Sequence, residues 1–104
     1  MASQPDLHPS DPAAVYMAEV ERQCAADPLL SPLAAGILAG AMLNVAQDSR
    51  SFARLLGVEH ALVLREVEQL SLTGQLAVTR RDERTQRTFY ALGMPVLDAA
   101  NDPA

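Results

Sequence analysis

The basic side chains of this chain are all arginines, and they are concentrated in one short stretch. Half of the eight fall within residues 80–87: Arg80, Arg81, Arg84 and Arg87. Guanidinium groups bind phosphate oxygens through charge-assisted hydrogen bonds, which position a protein on nucleic acid without conveying base sequence. The cluster therefore predicts contacts with phosphates or with a minor groove. The alternative is a solvated turn, in which Asp82 and Glu83 neutralise two of the arginines.

The stretch before this cluster carries side chains that suit the edges of bases. His60, Arg65 and Gln69 have donors and acceptors of the kind that pair with bases in a major groove. Ala61 and Leu64 lie among them and can contact the methyl group of thymine. We expect these five residues to contact double-stranded DNA.

The charge of the whole chain argues against nucleic acid as a partner, but its distribution does not. The formal net charge is −5 at pH 7. Residues 49–93, however, hold seven arginines against five carboxylates, and the local field decides whether phosphate is attracted. Arg50 and Arg54 belong to this half. Arg50 and Arg54 can add phosphate contacts, although each of them taken alone is better explained as a surface arginine.

Other chemistry finds little support in the residue types. His8, Cys24 and His60 are far apart in the sequence, so no two of them have the spacing of metal ligands. We therefore expect no metal and no cofactor. Glu66 and Glu68 point in different directions on a helix, and no serine–histidine–aspartate pattern or phosphate-binding glycine loop is present, which predicts that the chain is not an enzyme.

Two helices must position the base-contacting side chains. Asp48 or Ser49 can cap a short helix that ends at Gly57, a residue that adopts positive φ without a Cβ clash. The expected buried side of this helix is Phe52, Leu55 and Leu56. A second helix is predicted from about residue 59 to about residue 72, with a buried stripe at helical spacing that consists of Val63, Val67 and Leu70.

A β-hairpin is predicted to carry the arginine cluster. Residues 75–81 and 86–92 have strand character, and residues 82–85 form a polar turn between them. We expect Leu76 and Val78 to share one face of the first strand. Phe89 in the second strand is expected to join the core with Leu55 and the stripe of the second helix.

LLGVEHALVLREVEQL followed by GQLAVTRRDERTQRTFYAL resembles the DNA-binding half of bacterial winged-helix regulators of the multiple-antibiotic-resistance (MarR) and arsenical-resistance (ArsR) families. The resemblance implies a mainly α (α+β) winged helix-turn-helix with the helix-turn-helix at 48–72 and the wing at 75–92. It implies a small bacterial transcriptional regulator whose recognition helix enters the major groove. We expect one domain over residues 11–97, with flexible tails at 1–10 and 98–104.

Two further helices are expected before the helix-turn-helix, because Asp11-Pro12 and Ser31-Pro32 are both typical helix starts. The first, residues 13–26, carries an apolar stripe of Tyr16, Val20 and Cys24, with Glu19, Arg22 and Gln23 away from it. The second, residues 33–45, is almost entirely apolar but too short to cross a membrane. Since no long C-terminal helix is present for dimerisation, these helices are the expected homodimer interface: Tyr16, Val20, Gly36 and Gly40.

The same sequence leaves a second function open. In the resembled families the early positions of the recognition helix are usually polar, whereas Glu59 and Leu62 stand here. An acidic and partly apolar face suits a winged-helix module that binds another protein, such as an antiactivator or an assembly subunit, and does not bind DNA. The single Cys24 cannot form an internal disulfide, and the N-terminal residues lack the pattern of a signal peptide, so a cytoplasmic location is expected.

Overall fold

The computed structural model describes residues 11–93, and over this range the chain forms four helices followed by an antiparallel hairpin, an α+β arrangement. The elements are α1 Pro12–Ala26, α2 Pro32–Met42, α3 Ser49–Leu56, α4 His60–Leu72, β1 Leu76–Asp82 and β2 Arg87–Leu92. Their order and approximate bounds are those that the sequence predicts. The expected tails, and a helical turn considered at residues 96–97, lie outside the described residues.

Short polar side chains start three of the four helices, as predicted. Asp11 accepts a hydrogen bond from the N–H of residue 13 at 3.2 Å, and Ser31 accepts one from residue 34 at 3.0 Å. Asp48 accepts one from residue 51 at 2.8 Å. Each bond satisfies a first-turn donor that has no partner within the helix. Gly57 ends α3 in the left-handed region, with φ +68°.

The core is built around α2, which is buried from Ala34 to Ala41. It contacts α1, α4 and β2. The helix ends three residues earlier than predicted because Asn44 adopts a positive φ of 60°. This conformation lets the N–H of Val45 bond to the carbonyl of Gly40 at 2.8 Å, which closes the helix end.

The two glycines of α2 face the interior of the same chain. A Cβ atom on Gly40 would lie 3.6 Å from the ring of Phe52, and one on Gly36 would lie 2.9 Å from the hydroxyl oxygen of Tyr16. The Tyr16 hydroxyl donates a hydrogen bond to the carbonyl of Gly36 at 2.9 Å. The expectation that Gly36 and Gly40 meet a second subunit is therefore corrected, since Tyr16 and Phe52 cover them. A homodimer stays a prediction, without this interface.

Helix α1 is rotated relative to its predicted orientation. Glu19, expected on the outside, is its buried residue, whereas Val20 and Cys24 of the predicted stripe are half-buried. The Glu19 carboxylate accepts hydrogen bonds from the side chains of Arg22 and Gln23 within α1. These two donors explain how a charged group is tolerated at a buried position.

The hairpin presents the opposite face of β2 from the one predicted. Thr88 and Tyr90 are buried, whereas Phe89 is half-buried and points away from the helices. Leu55 and Leu56 are not on the buried side of α3 as predicted, because these residues are 61% and 41% exposed while Phe52 is 1% exposed. A β-bulge at residue 79 separates the pair Val78–Tyr90 from the pair Arg80–Phe89, and it changes which β1 residues face inward beyond that point.

The chain has two phenylalanines, and their contrasting environments give a stability prediction. Phe52→Ala should lower the free energy of unfolding by ~3–5 kcal/mol, because it opens a cavity under α2. Phe89→Ala should cost clearly less, since its ring packs only against the outer face of the hairpin. Urea unfolding of both variants, followed by circular dichroism, makes the comparison. Equal losses would show that Phe89 belongs to the core after all.

Candidate nucleic-acid interface

Helix α4 buries one side and exposes the other. Val63, Val67 and Leu70 are buried, as predicted, and they face α2 and the hairpin. The opposite side follows the spacing i, i+4, i+7 and i+11, and all of its members are exposed: Ala61, Arg65, Glu68 and Leu72. Of the other residues expected to contact bases, Gln69 is exposed beside this row and Leu64 is half-buried. Below, the outer face of α4 means the four exposed residues Ala61, Arg65, Glu68 and Leu72.

One ion pair joins the hairpin to this outer face. The Arg81 Nη1 lies 2.8 Å from the Glu68 Oε2, and each side chain is about half exposed. Arg81 can reach α4 because of the bulge at residue 79, which places Arg81 opposite the buried Thr88 and thus on the inner side of the hairpin. Without the bulge, strict alternation would turn Arg80 inward instead. The outer face and the arginine-bearing strand are therefore one continuous surface.

Three other arginines that were expected to bind DNA have partners within the chain. The Arg80 guanidinium lies over the Phe89 ring, 4.1 Å from its centroid, at the distance of a cation–π contact. The Arg87 Nε lies 3.3 Å from the Asp48 Oδ2 as an ion pair without hydrogen-bond alignment. Arg50 donates twice to the carbonyl of Thr85, from Nε at 3.1 Å and from Nη2 at 2.8 Å.

The remaining arginines of this half are exposed. Within residues 11–93, Arg54, Arg65 and Arg84 have no ion pair and no side-chain hydrogen bond. They lie in the last turn of α3, on the outer face of α4 and in the hairpin turn, respectively. These three guanidinium groups can therefore bind an external anion without first breaking a contact.

His60 has a structural role that its sequence position did not reveal. Its Nε2 lies 2.8 Å from the Oγ of Ser49, which also accepts the backbone N–H of Thr88 at 3.0 Å. Ser49 is fully buried, and within residues 11–93 its hydroxyl has no other acceptor. The hydroxyl therefore donates to Nε2. Nε2 is then not available to contact a base. The expectation that His60 contacts DNA is therefore corrected for this nitrogen.

The surroundings of His60 favour its neutral form. Partial burial lowers the pKa of the imidazole from its ordinary 6.5, and the positive charge of Arg50 lowers it further. The Asp48 carboxylate opposes this effect, and Arg87 adds a weaker lowering. A neutral ring is consistent with a hydrogen bond in which Nε2 accepts.

Large apolar side chains are exposed beside the charged groups. Leu72 at the end of α4 is 77% exposed, and Leu62 on the edge of the outer face is 44% exposed. Glu59, just before α4, is exposed as well. The mixed acidic and apolar character of this surface is the one that the sequence predicted.

Two absences bear on other chemistry. Across residues 11–93, no three histidine, cysteine or acidic side chains come close enough together to hold a metal ion. None of the helices in this part of the chain has the length and apolar character needed to cross a bilayer.

Comparisons with protein-family models, with curated proteins and with solved structures found no match to the chain.

The depressed pKa of His60 gives a prediction for stability against pH. The unfolded chain binds the proton at the ordinary pKa of 6.5, whereas the folded chain binds it only at lower pH. Stability is therefore full above pH 6.5 and falls as pH drops from there towards the folded-state pKa. Wild type should lose more stability between pH 7.5 and pH 5.5 than His60→Gln does, as measured by urea midpoints.

Glutamine is the matched replacement because its amide can take the position of Nε2 and accept from Ser49. Both proteins carry the same carboxylates, so the comparison isolates the contribution of His60. The same pH dependence in both would mean that His60 has equal pKa values in the folded and unfolded chain.

Proposed function

We propose that the chain is a small winged helix-turn-helix regulator that binds double-stranded DNA. Helices α3 and α4 are its helix-turn-helix, the outer face of α4 enters the major groove, and the hairpin is the wing. The observation that carries the proposal is the ion pair between Arg81 and Glu68 at 2.8 Å. It makes the exposed side of α4 and the arginine-bearing hairpin one surface, as simultaneous contact with groove and backbone requires.

The connections between the elements support this assignment. Three residues, 57–59, separate α3 from α4, and Gly57 supplies the sharp turn typical of a helix-turn-helix. Asp48 forms an isolated antiparallel bridge to Phe89, and the N–H of Tyr90 donates to the carbonyl of Gln47 at 3.0 Å. The segment before α3 thereby pairs with β2 like a very short third strand, and it holds the hairpin beside the helices.

Each exposed group then has a role of its own. Arg65 lies in the middle of the outer face without a partner, so its guanidinium can bond both acceptors of a guanine. Gln69 and Ala61 lie beside it and can contact neighbouring bases. Arg84 in the hairpin turn contacts phosphate, with Arg80 behind it on the strand.

Glu68 limits the affinity of this surface. Its carboxylate repels phosphates, and it holds Arg81, whose charge would otherwise add to the attraction. DNA must share or displace this pair on binding. Replacing Glu68 therefore tests whether DNA binds at this surface specifically or is attracted only by the overall charge of the chain.

Glu68→Gln should strengthen binding to a short DNA duplex, because it releases Arg81 and removes a repelling charge. Glu21→Gln on α1 is the matched control, since it makes the same charge change at an exposed position on another helix. Fluorescence anisotropy at several salt concentrations measures both variants. Equal gains in the two would show that only the net charge of the chain matters.

Arg84→Ala should weaken binding to all sequences alike and reduce the salt slope by about one unit. Arg65→Ala should instead cost ~1–3 kcal/mol on the preferred site and little on random DNA. The preferred site is first selected from genomic fragments of the source organism in moderate salt. If wild type binds no duplex near ~50 mM salt, where the electrostatic contribution is large, the DNA proposal fails.

A protein-binding module is the second candidate, and the exposure of Leu72 at 77% is the observation that favours it. In that case, Leu72→Asp should abolish capture of a specific partner while the fold, checked by circular dichroism, stays intact. Met17→Asp is the control, because Met17 is an exposed apolar residue on α1. Loss of the partner in both variants would remove α4 as the docking surface.

A further inference from the structure

A shallow cavity opens between α3 and the start of α4, beside the surface proposed to bind DNA. Its volume is about 250 Å³. Five described residues line it, and none of them is acidic: Arg50, Ala53, Arg54, Val58 and His60. Two guanidinium groups and an imidazole thus share one small concave space, which is an unusual concentration of donors in a chain of net charge −5.

The two arginines reach the cavity from the same side of α3. Arg50 and Arg54 are four residues apart, so one lies a helical turn above the other. Two hydrogen bonds to the carbonyl of Thr85 hold the Arg50 guanidinium by Nε and Nη2, which leaves its Nη1 without a partner in residues 11–93. Arg54 is exposed and has no bonded partner in the described chain. One arginine is therefore positioned in advance, and the other can adjust to a ligand.

His60 adds a neutral donor whose tautomer is determined by its neighbour. Since the buried hydroxyl of Ser49 donates to Nε2, the neutral ring carries its proton on Nδ1. The bond to Ser49 also fixes the orientation of the ring. His60 thus contributes an N–H donor at pH 7 without needing a positive charge.

The nearby carboxylates offset this concentration of positive charge only in part. Asp48 is buried, and its Oδ2 accepts from the N–H of Ser51 and pairs with Arg87. Glu59 is exposed and precedes α4 in sequence without lining the cavity. The cavity therefore favours an anion, and its polar groups are donors that match the oxygens of a tetrahedral oxyanion.

We propose that this cavity binds a phosphate group, with Arg50 and Arg54 supplying charge and His60 supplying a directed N–H donor. The phosphate comes either from the DNA backbone, in which case the site anchors α3 on the strand and rests on the proposed function, or from a free phosphate anion. Phosphate rather than carboxylate is the expected ligand because a tetrahedral oxyanion offers a separate oxygen to each of the three donor groups.

Binding of inorganic phosphate tests the site directly. The titration is done at constant ionic strength, with chloride exchanged for phosphate, and followed by NMR at the His60 ring and the Arg54 side chain. Wild type should show saturable shifts at both. Arg54→Gln should weaken the affinity about tenfold, the loss expected for one charge-assisted hydrogen bond. Ala13→Glu in the first turn of α1 is the matched control, because it makes the same change of net charge at an exposed position on another helix, and it should leave the affinity unchanged.

Linear shifts without saturation in wild type would overturn the site. So would an equal loss in Arg54→Gln and Ala13→Glu, because it would indicate a diffuse electrostatic response. Arg54 is exposed at the end of α3, so its replacement leaves the core untouched.

A second arm with a short DNA duplex identifies the source of the phosphate. If the backbone supplies it, Arg54→Gln should lower the salt slope of DNA binding by about one unit. If DNA binding is unchanged while the phosphate titration depends on Arg54, the site serves a free anion. Saturable phosphate binding without any DNA binding would refute the regulator and retain the site. DNA binding without saturable phosphate binding would refute the phosphate site and retain the regulator.

Discussion

The structure depends on Gln47, Asp48 and Ser49, where the α2–α3 connection enters α3, because these residues make the contacts that hold α3, α4 and the hairpin together. The carbonyl of Gln47 accepts from Tyr90, and Asp48 both caps α3 and pairs with Arg87. The hydroxyl of Ser49 accepts from Thr88 and donates to His60. Every partner but the α3 cap lies at least 11 positions away along the chain. Within residues 11–93 the only sheet has two strands, so it cannot by itself hold the helices and the hairpin in place. These three residues and their partners, called the polar junction below, supply that connection.

The burial of the junction explains why it specifies one arrangement. Ser49 is fully buried, and Asp48 and Thr88 nearly so, so that each of their polar groups needs its partner. Tyr90 packs beside them, and its burial together with the nearby Asp48 charge raises the pKa of its phenol, which stays protonated. A slip of β2 by one residue would bury Phe89 but would also leave the Ser49 hydroxyl without the Thr88 N–H. The hairpin is thereby held at the angle that lets Arg81 reach α4.

Local signals made most of the element order predictable. Asp11, Ser31 and Asp48 cap the helices that they were predicted to start, and Gly57 ends α3 because only a residue tolerant of positive φ fits there. The stripe of Val63, Val67 and Leu70 is buried at its predicted spacing. These features are determined by residues within one or two turns of each other, which a single sequence records.

The errors concern contacts between distant residues. The bulge at residue 79 has no mark in the sequence, and it exchanges Arg80 and Arg81 between the two faces of the hairpin. Phe89 does not lie in the core, contrary to the prediction, because the hydrogen bonds of its neighbours to the junction decide which face of β2 turns inward. The spacing of Gly36 and Gly40 suits a subunit interface, and only the position of Phe52 shows that a ring of the same chain packs against them.

In the candidate site, too, local features could be predicted from the sequence and contacts between distant residues could not. Its exposed members, Arg65, Gln69 and Arg84, could be found from helical periodicity and turn composition. The pairing of Glu68 with Arg81 and the commitment of His60 to Ser49 could not, because each joins residues that are 11 or more positions apart. Phosphate contacts are expected from Arg50 and Arg54 on their charge, but only the structure shows that both line a cavity with His60.

The central claim is that the outer face of α4 and the hairpin bind DNA as one surface. The most direct measurement is an NMR titration of the isotope-labelled chain with a short duplex at low salt. The account predicts that backbone amide shifts concentrate at Arg65, Gln69 and the hairpin turn around Arg84, and that α1 stays unchanged. Shifts centred on α1, or no shifts at any DNA concentration, would contradict it.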